Sequence, residues 1–229
     1  MTGNSFDDER RRGWVQYLRN VPYKARQIAE EYQATVKQVN ERWDLDAASK
    51  AKGRALAKEE AAKRLAQLRS EAEATAQALT KELEGLAHKP VTLSAGDALH
   101  AEGLRARLRK SDDPASEAMR LAREAASNND DSRLRALRAI VPDLLAEMGQ
   151  PEDAGAELDL FLRATTLGVD GKDAMVKLPQ VGRGVYRVGL TLNYIDYDLR
   201  EGNFDDPKYH TPLPGWDDED MLEVGGVEK

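Results

Sequence analysis

The three histidines of this 229-residue chain, His88, His100 and His210, are the first side chains to test for chemistry. None stands at the helical spacing that brings two imidazoles onto one metal ion. His100 follows Asp97 by three residues, so a helix would put both on one face, yet no third ligand or nucleophile lies near them in sequence. Gly182 and Gly184 flank Arg183 without the further glycine and the helix start that a dinucleotide loop needs. Neither a phosphate-loop pattern nor a G-x-S-x-G nucleophile elbow occurs. The run Asp217-Asp218-Glu219-Asp220 lacks the alternating ligands and central glycine of a calcium loop and reads as solvated charge. With no cysteine, disulfides, thiolate metal sites and a catalytic thiol are excluded. These patterns predict a non-enzymatic chain with no metal and no cofactor.

One basic stretch stands apart. Between Ala47 and Glu59, the residues Lys50, Lys52, Arg54 and Lys58 face a single acid and form a candidate contact for an anionic partner. Farther on, Glu60, Glu71 and Glu73 interleave with Lys63, Arg64 and Arg69, as i,i+4 ion pairs on a wet helix face do. A solvated face is therefore the leading reading of the basic stretch, and nucleic acid the lesser one. The net charge of −7 is uneven, because the 34 residues after Ile195 hold 11 acidic and 3 basic groups. Such a segment repels nucleic acid and suits a basic protein surface.

The elements that must position these groups follow from composition and periodicity. Apolar residues make up 41% of the chain and aromatics 6%, and 32 of the apolar residues are Ala, which brings helix propensity with little burial. An elongated or helical, mainly α fold is expected. Residues 1–21 read as an N-terminal arm. Residues 22–89 read as a long helical hairpin or coiled-coil-like rod: Pro22 opens a helix striped by Ile28, Tyr32, Val36, Val39 and Trp43, and a second helix runs from about Asp46 to Ala87. Leu56 is the one large apolar residue in the first half of that second helix, so intrinsic propensity or another chain must sustain it. Its second half carries a seam of Leu65, Leu68, Ala72, Ala76, Leu79, Leu83 and Leu86, expected to be covered in an assembly.

Residues 94–168 read as a small antiparallel helix bundle, with starts at the Ser94/Asp97 capping box, at Asp113-Pro114 and at Asp131, and stops near Gly149 and Gly168. From 175 to 199 the valines, tyrosines and glycines, Val181, Val185, Val188 and Tyr194 among them, predict a short β segment with a turn at Gly182-Arg183-Gly184. Residues 200–229 read as an extended acidic tail in which Phe204, Tyr209 and Trp216 are anchors for docking onto another surface. No apolar run approaches the ~18 residues that span a bilayer. The N-terminus MTGNSFDDERRRGW lacks the apolar core of a signal peptide, so neither membrane insertion nor signal-directed secretion is expected.

The stretch from Tyr23 to Leu86, an initial helix, the break Asp44-Leu45-Asp46 and a long Ala/Arg/Glu helix, resembles the N-terminal helical arm of proteins encoded in the structural gene clusters of tailed bacteriophages infecting actinobacteria. The Leu/Ala/Arg-rich bundle to about Thr166 is similar too. The resemblance carries no active site. It implies a structural or assembly protein of a phage particle, associated with the head as a minor capsid or capsid-stabilising component, located in the virion or the host cytoplasm. Its expected partners are capsid subunits and copies of itself in a homo-oligomer. Leu65, Leu68, Leu79, Leu83, Leu86, Phe204, Tyr209 and Trp216 are the candidate interface residues. The competing expectations are a scaffolding protein absent from the mature particle, a cellular helical adaptor, and a packaging factor that contacts nucleic acid.

Overall fold

The computed structural model describes residues 5–151 and 155–201, and among them the fold is mainly helical, with no strand. In chain order the helices are α1 (Ser5–Glu41), α2 (Ala47–Ala87), α3 (Ala95–Leu108), α4 (Pro114–Ser127), α5 (Asp131–Glu147), α6 (Ala156–Thr166) and α7 (Val169–Glu201). None of them is long and apolar enough to cross a membrane. The chain divides into two compact units: the first takes residues up to Glu82 together with those from Lys177 onward, and the second takes Leu83–Val176.

In the first unit, α1 and α2 pair antiparallel. Arg10 meets Glu82 at 2.5 Å, Tyr17 donates to Glu71 at 2.9 Å, Arg64 meets Glu31 at 2.5 Å and Arg54 donates to Asn40 at 2.8 Å, so the partner number falls as the other rises. Helix α7 is also antiparallel to α2, with Arg69 donating to Asn193 at 2.8 Å and Lys58 to the Arg200 carbonyl at 2.6 Å. The buried stripes are Leu18, Val21, Ala25 and Ile28 on α1, Leu65, Leu68, Ala72 and Leu79 on α2, and Val181, Val188, Leu192 and Ile195 on α7. The steps within each stripe are three, four or seven residues, so each helix turns one apolar face inward.

Two expectations are corrected here. Pro22 does not open α1 but lies inside it. A proline in a helix interior costs roughly 3 kcal/mol, yet the stripe through Leu18, Val21 and Ala25 continues across it, each residue at most 1% exposed. That burial outweighs the missing amide hydrogen bond. The segment 175–199 is helix rather than strand, part of the 33-residue α7. Buried positions 181, 184, 188, 191, 192, 195, 198 and 199 follow a helical period, but Gly184, Thr191 and Asp198 occupy three of them. The apolar seam is thereby masked, and the remaining valines and tyrosines mimic a β pattern. The acidic tail of residues 202–229 lies outside the described residues.

In the second unit, α5 packs against α3, α4 and α6. Leu104, Leu108, Leu121, Leu137, Leu144 and Leu158 belong to one core. The starts are capped: Ser94 and Asp97 make a reciprocal capping box on α3, Asp113 accepts from Ser116 N on α4, and Asp130, one residue before the expected Asp131, accepts from Arg133 N on α5. At the end of α5, Gly149 takes φ +68° while Gln150 N bonds the Leu145 carbonyl at 3.0 Å, a left-handed closure that glycine makes without strain.

Candidate functional site

The leucine seam of α2 is not an open interface. Leu65, Leu68, Leu79 and Leu83 are 1%, 6%, 1% and 4% exposed within a single chain, and Leu86 is half-buried. The expectation that a companion chain must cover this seam is corrected, because for Leu65, Leu68 and Leu79 the cover comes from α1 and α7 of the same unit. Tyr17 marks how closely the helices fit: burial first, and then its hydrogen bond to the Glu71 carboxylate, push its phenol up to about 12.

The exposed part of the hairpin lies beyond that core. The last buried residue on α1 is Ala29 and the first on α2 is Ala61, and between them residues 30–60 contain no buried side chain. Past the core this arm carries 12 residues of α1 and 14 of α2, roughly 20 Å at ~1.5 Å per residue. Its two helices still pack closely. A β-carbon built at Gly53 would lie 3.1 Å from Val39 Cγ1, so Gly53 is the flat spot on which Val39 rests. In the half of α2 that lacks large apolar residues, small residues are what let α1 come near.

The turn at the tip is held by polar groups. Arg42 grips the Asp44 carboxylate through Nε at 2.7 Å and Nη2 at 2.6 Å, and this holds Asp44 at about 2. Asp46 accepts from Ser49 N at 2.7 Å and so caps α2. Between Arg42 and Asp44 stands Trp43, 93% exposed, and Leu56 is 58% exposed on the flank of α2. A tryptophan on a fixed turn brings large apolar area at little entropic cost, which is why such residues dominate interface energetics. The periodic stripe had included Trp43 as a core-facing residue; the stripe holds as far as Val39, and the turn carries Trp43 out of it.

The basic stretch occupies the same arm with a structural share in it. Lys50 Nζ donates to the Asn40 carbonyl at 2.8 Å, Arg54 to Asn40 Oδ1, and Lys58 to the Arg200 carbonyl. Each satisfies a group at or near the end of a helix. Lys52 has no hydrogen bond or ion pair among the described residues. An anion contact built on all four thus competes with bonds that three of them already make.

Asp97 and His100 do not form a catalytic or metal pair. Asp97 is 2% exposed and fully engaged: it accepts from Ser94 N at 2.9 Å, from Arg135 Nε and Nη2 at 3.2 Å each, and from the Ser132 hydroxyl. The Arg135 guanidinium, then Ser132 and the Ser94 amide, hold its carboxyl far below the usual range. It ties α3 to α5, while His100 is exposed. Among the described residues no three His, Asp or Glu side chains gather into a metal-binding group. Phe204, Tyr209, His210 and Trp216 lie outside the described residues. The chain matches no family model, no curated protein and no solved structure.

Proposed function

We propose that this is a non-enzymatic assembly protein that works through protein contacts, and that its setting is the head of a tailed-phage particle, as the layout of Tyr23–Thr166 implies. The observation that carries the protein-contact reading is the arm: a close-packed helix pair with no buried side chain between residues 30 and 60 and Trp43 93% exposed on a pinned turn. An arm of this kind contributes nothing to its own core, and its exposed tryptophan supplies the anchor that a partner pocket requires. The phage setting rests on the resemblance alone.

Mass spectrometry of purified mature particles tests the setting. Retention there supports a capsid-stabilising component; absence, with presence in precursor heads, supports a scaffold; absence from both refutes the reading. Trp43→Ala is expected to reduce incorporation at least tenfold, about 1.4 kcal/mol or more of binding, while leaving the melting temperature of the purified protein unchanged. Normal incorporation of that variant removes the arm from the proposal.

A further inference from the structure

One cleft of the second unit is lined, among the described residues, by more basic than acidic groups. Residues 88–91, α5 and α6 border a cleft of about 280 Å³ lined by His88, Lys89, Arg138, Asp159 and Arg163. The half-buried Arg138 donates to the Lys89 carbonyl at 2.6 Å and to Thr166 Oγ1 at 3.0 Å. Both of those acceptors are neutral. Arg163 pairs with Asp159, and its Nη1 also lies 2.7 Å from His88 Nδ1. Among the described lining residues, one carboxylate therefore serves two guanidiniums, an ammonium and an imidazole. Burial, and then the charge of Arg163, depress the pKa of Arg138, as expected where positive groups crowd out of water. Asp159 and Arg163 also line an adjoining cleft of about 420 Å³, whose other walls include Val141, Pro142, Leu145 and Pro151. A fitting occupant has carboxylates next to a large apolar group.

We propose that these two clefts receive the acidic C-terminal segment of a second copy of this chain, with the carboxylates of Asp217–Asp220 on Arg138, Arg163 and His88, and Trp216 in the apolar cleft. Residues 202–229 hold eight acidic and two basic groups, and Trp216 directly precedes the densest run of acid. Three extended residues span about 10 Å, so Trp216 and Glu219 reach neighbouring clefts that share two lining residues. Opposite charge in a partly desolvated cleft gives strength and register together. The contact joins a donor segment on one copy to an acceptor cleft on another, so it closes by reciprocal exchange between two copies or continues into larger rings or open chains. This deepens the assembly reading, on which it rests, by naming the partner as another copy.

The test uses full-length protein whose own segment is neutralised by Asp217→Asn, Asp218→Asn, Glu219→Gln and Asp220→Asn. The probe is a fluorescein-labelled peptide of residues 211–224 with benzoylphenylalanine in place of Trp216. Saturable binding is expected, weakening about tenfold or more at high salt, where charges are screened beyond ~3 Å. Arg138→Gln is expected to weaken it a further 10- to 100-fold, the loss of about 1.5–3 kcal/mol for a charged hydrogen bond. Photocrosslinks on the protein without Arg138→Gln, expected on α5 and α6 near Val141 and Leu145, keep the test valid should that variant fail to fold. No saturable binding, crosslinks elsewhere, or equal binding of a scrambled peptide overturns the proposal. Strictly monomeric unneutralised protein that refuses the peptide points to occupation by the chain's own segment and overturns assignment to a second copy. Particle composition is not read here, so failure of this contact leaves the assembly reading standing.

Discussion

Leu65→Ala separates a seam covered by its own chain from one covered by a companion. Leu65 is 1% exposed and belongs to a stripe that continues through Leu68, Ala72 and Leu79, all at most 6% exposed. Shortening such a leucine loses the transfer free energy of the deleted carbons and leaves a cavity, together about 3–5 kcal/mol where the surroundings relax little. For a chain of this length each kcal/mol moves the melting temperature by about 2–4 °C, so a fall of about 6–20 °C is expected. Leu56→Ala, at a position 58% exposed, is the matched control and is expected to stay within about 0.5 kcal/mol. Thermal unfolding of parent and variants is followed by circular dichroism at two protein concentrations about fifty-fold apart. If one chain supplies the cover, the gap between parent and Leu65→Ala is the same at both. A gap that grows or vanishes with concentration would mean that the cover is intermolecular, and the packing of α2 against α1 and α7 would be refuted.

Gly182→Ala and Gly189→Ala test the helical assignment of α7: a β-carbon at either position meets open space, so each is expected to raise stability by about 0.5–1 kcal/mol in urea unfolding. Destabilisation by both would favour a turn at this point and sink the helix. Glu117 is held at about 2, against an ordinary 4.5, by its hydrogen bond to Arg120 and then by Arg107. Its contribution is therefore complete above pH 4.5 and lost as pH falls through about 2, and Glu117→Gln should flatten the fall in stability across that window; an unchanged pH profile refutes the pairing. Tyr17, raised to about 12, has the opposite sign, so the stability it lends is whole below pH 10 and is lost between 10 and 12, a loss that Tyr17→Phe removes.

Much of the helical architecture was legible because local chemistry and packing agree. The capping box at Ser94 and Asp97 and the Asp113-Pro114 start combine a side-chain acceptor with a residue suited to the first turn, and the helices begin there. The reading failed where tertiary burial overrode local preference. Pro22 is a strong local signal for a helix start, but it sits in a stripe whose burial exceeds its cost. In α7, Gly184, Thr191 and Asp198 occupy core positions among Val181, Val188, Leu192 and Ile195, so the hydrophobic period of the seam is interrupted in the sequence. Gly53 lowers the intrinsic helix propensity of α2, yet the close approach of Val39 to it is a tertiary contact that sequence does not display. The Arg138, Arg163 and His88 grouping joins residues up to 75 positions apart, and no spacing rule could have found it.

The hairpin tip has a thermodynamic consequence of its own. Because no residue between 30 and 60 is buried, releasing this segment exposes little new apolar surface, and its opening free energy falls well below that of global unfolding. Its amides are expected to exchange with deuterium through a separate subglobal event, and a protease to nick it while the stripes of α1, α2 and α7 stay folded. Whatever grips Trp43 would then stiffen the whole segment, and part of the ligand's affinity would be registered as slowed exchange far from the point of contact.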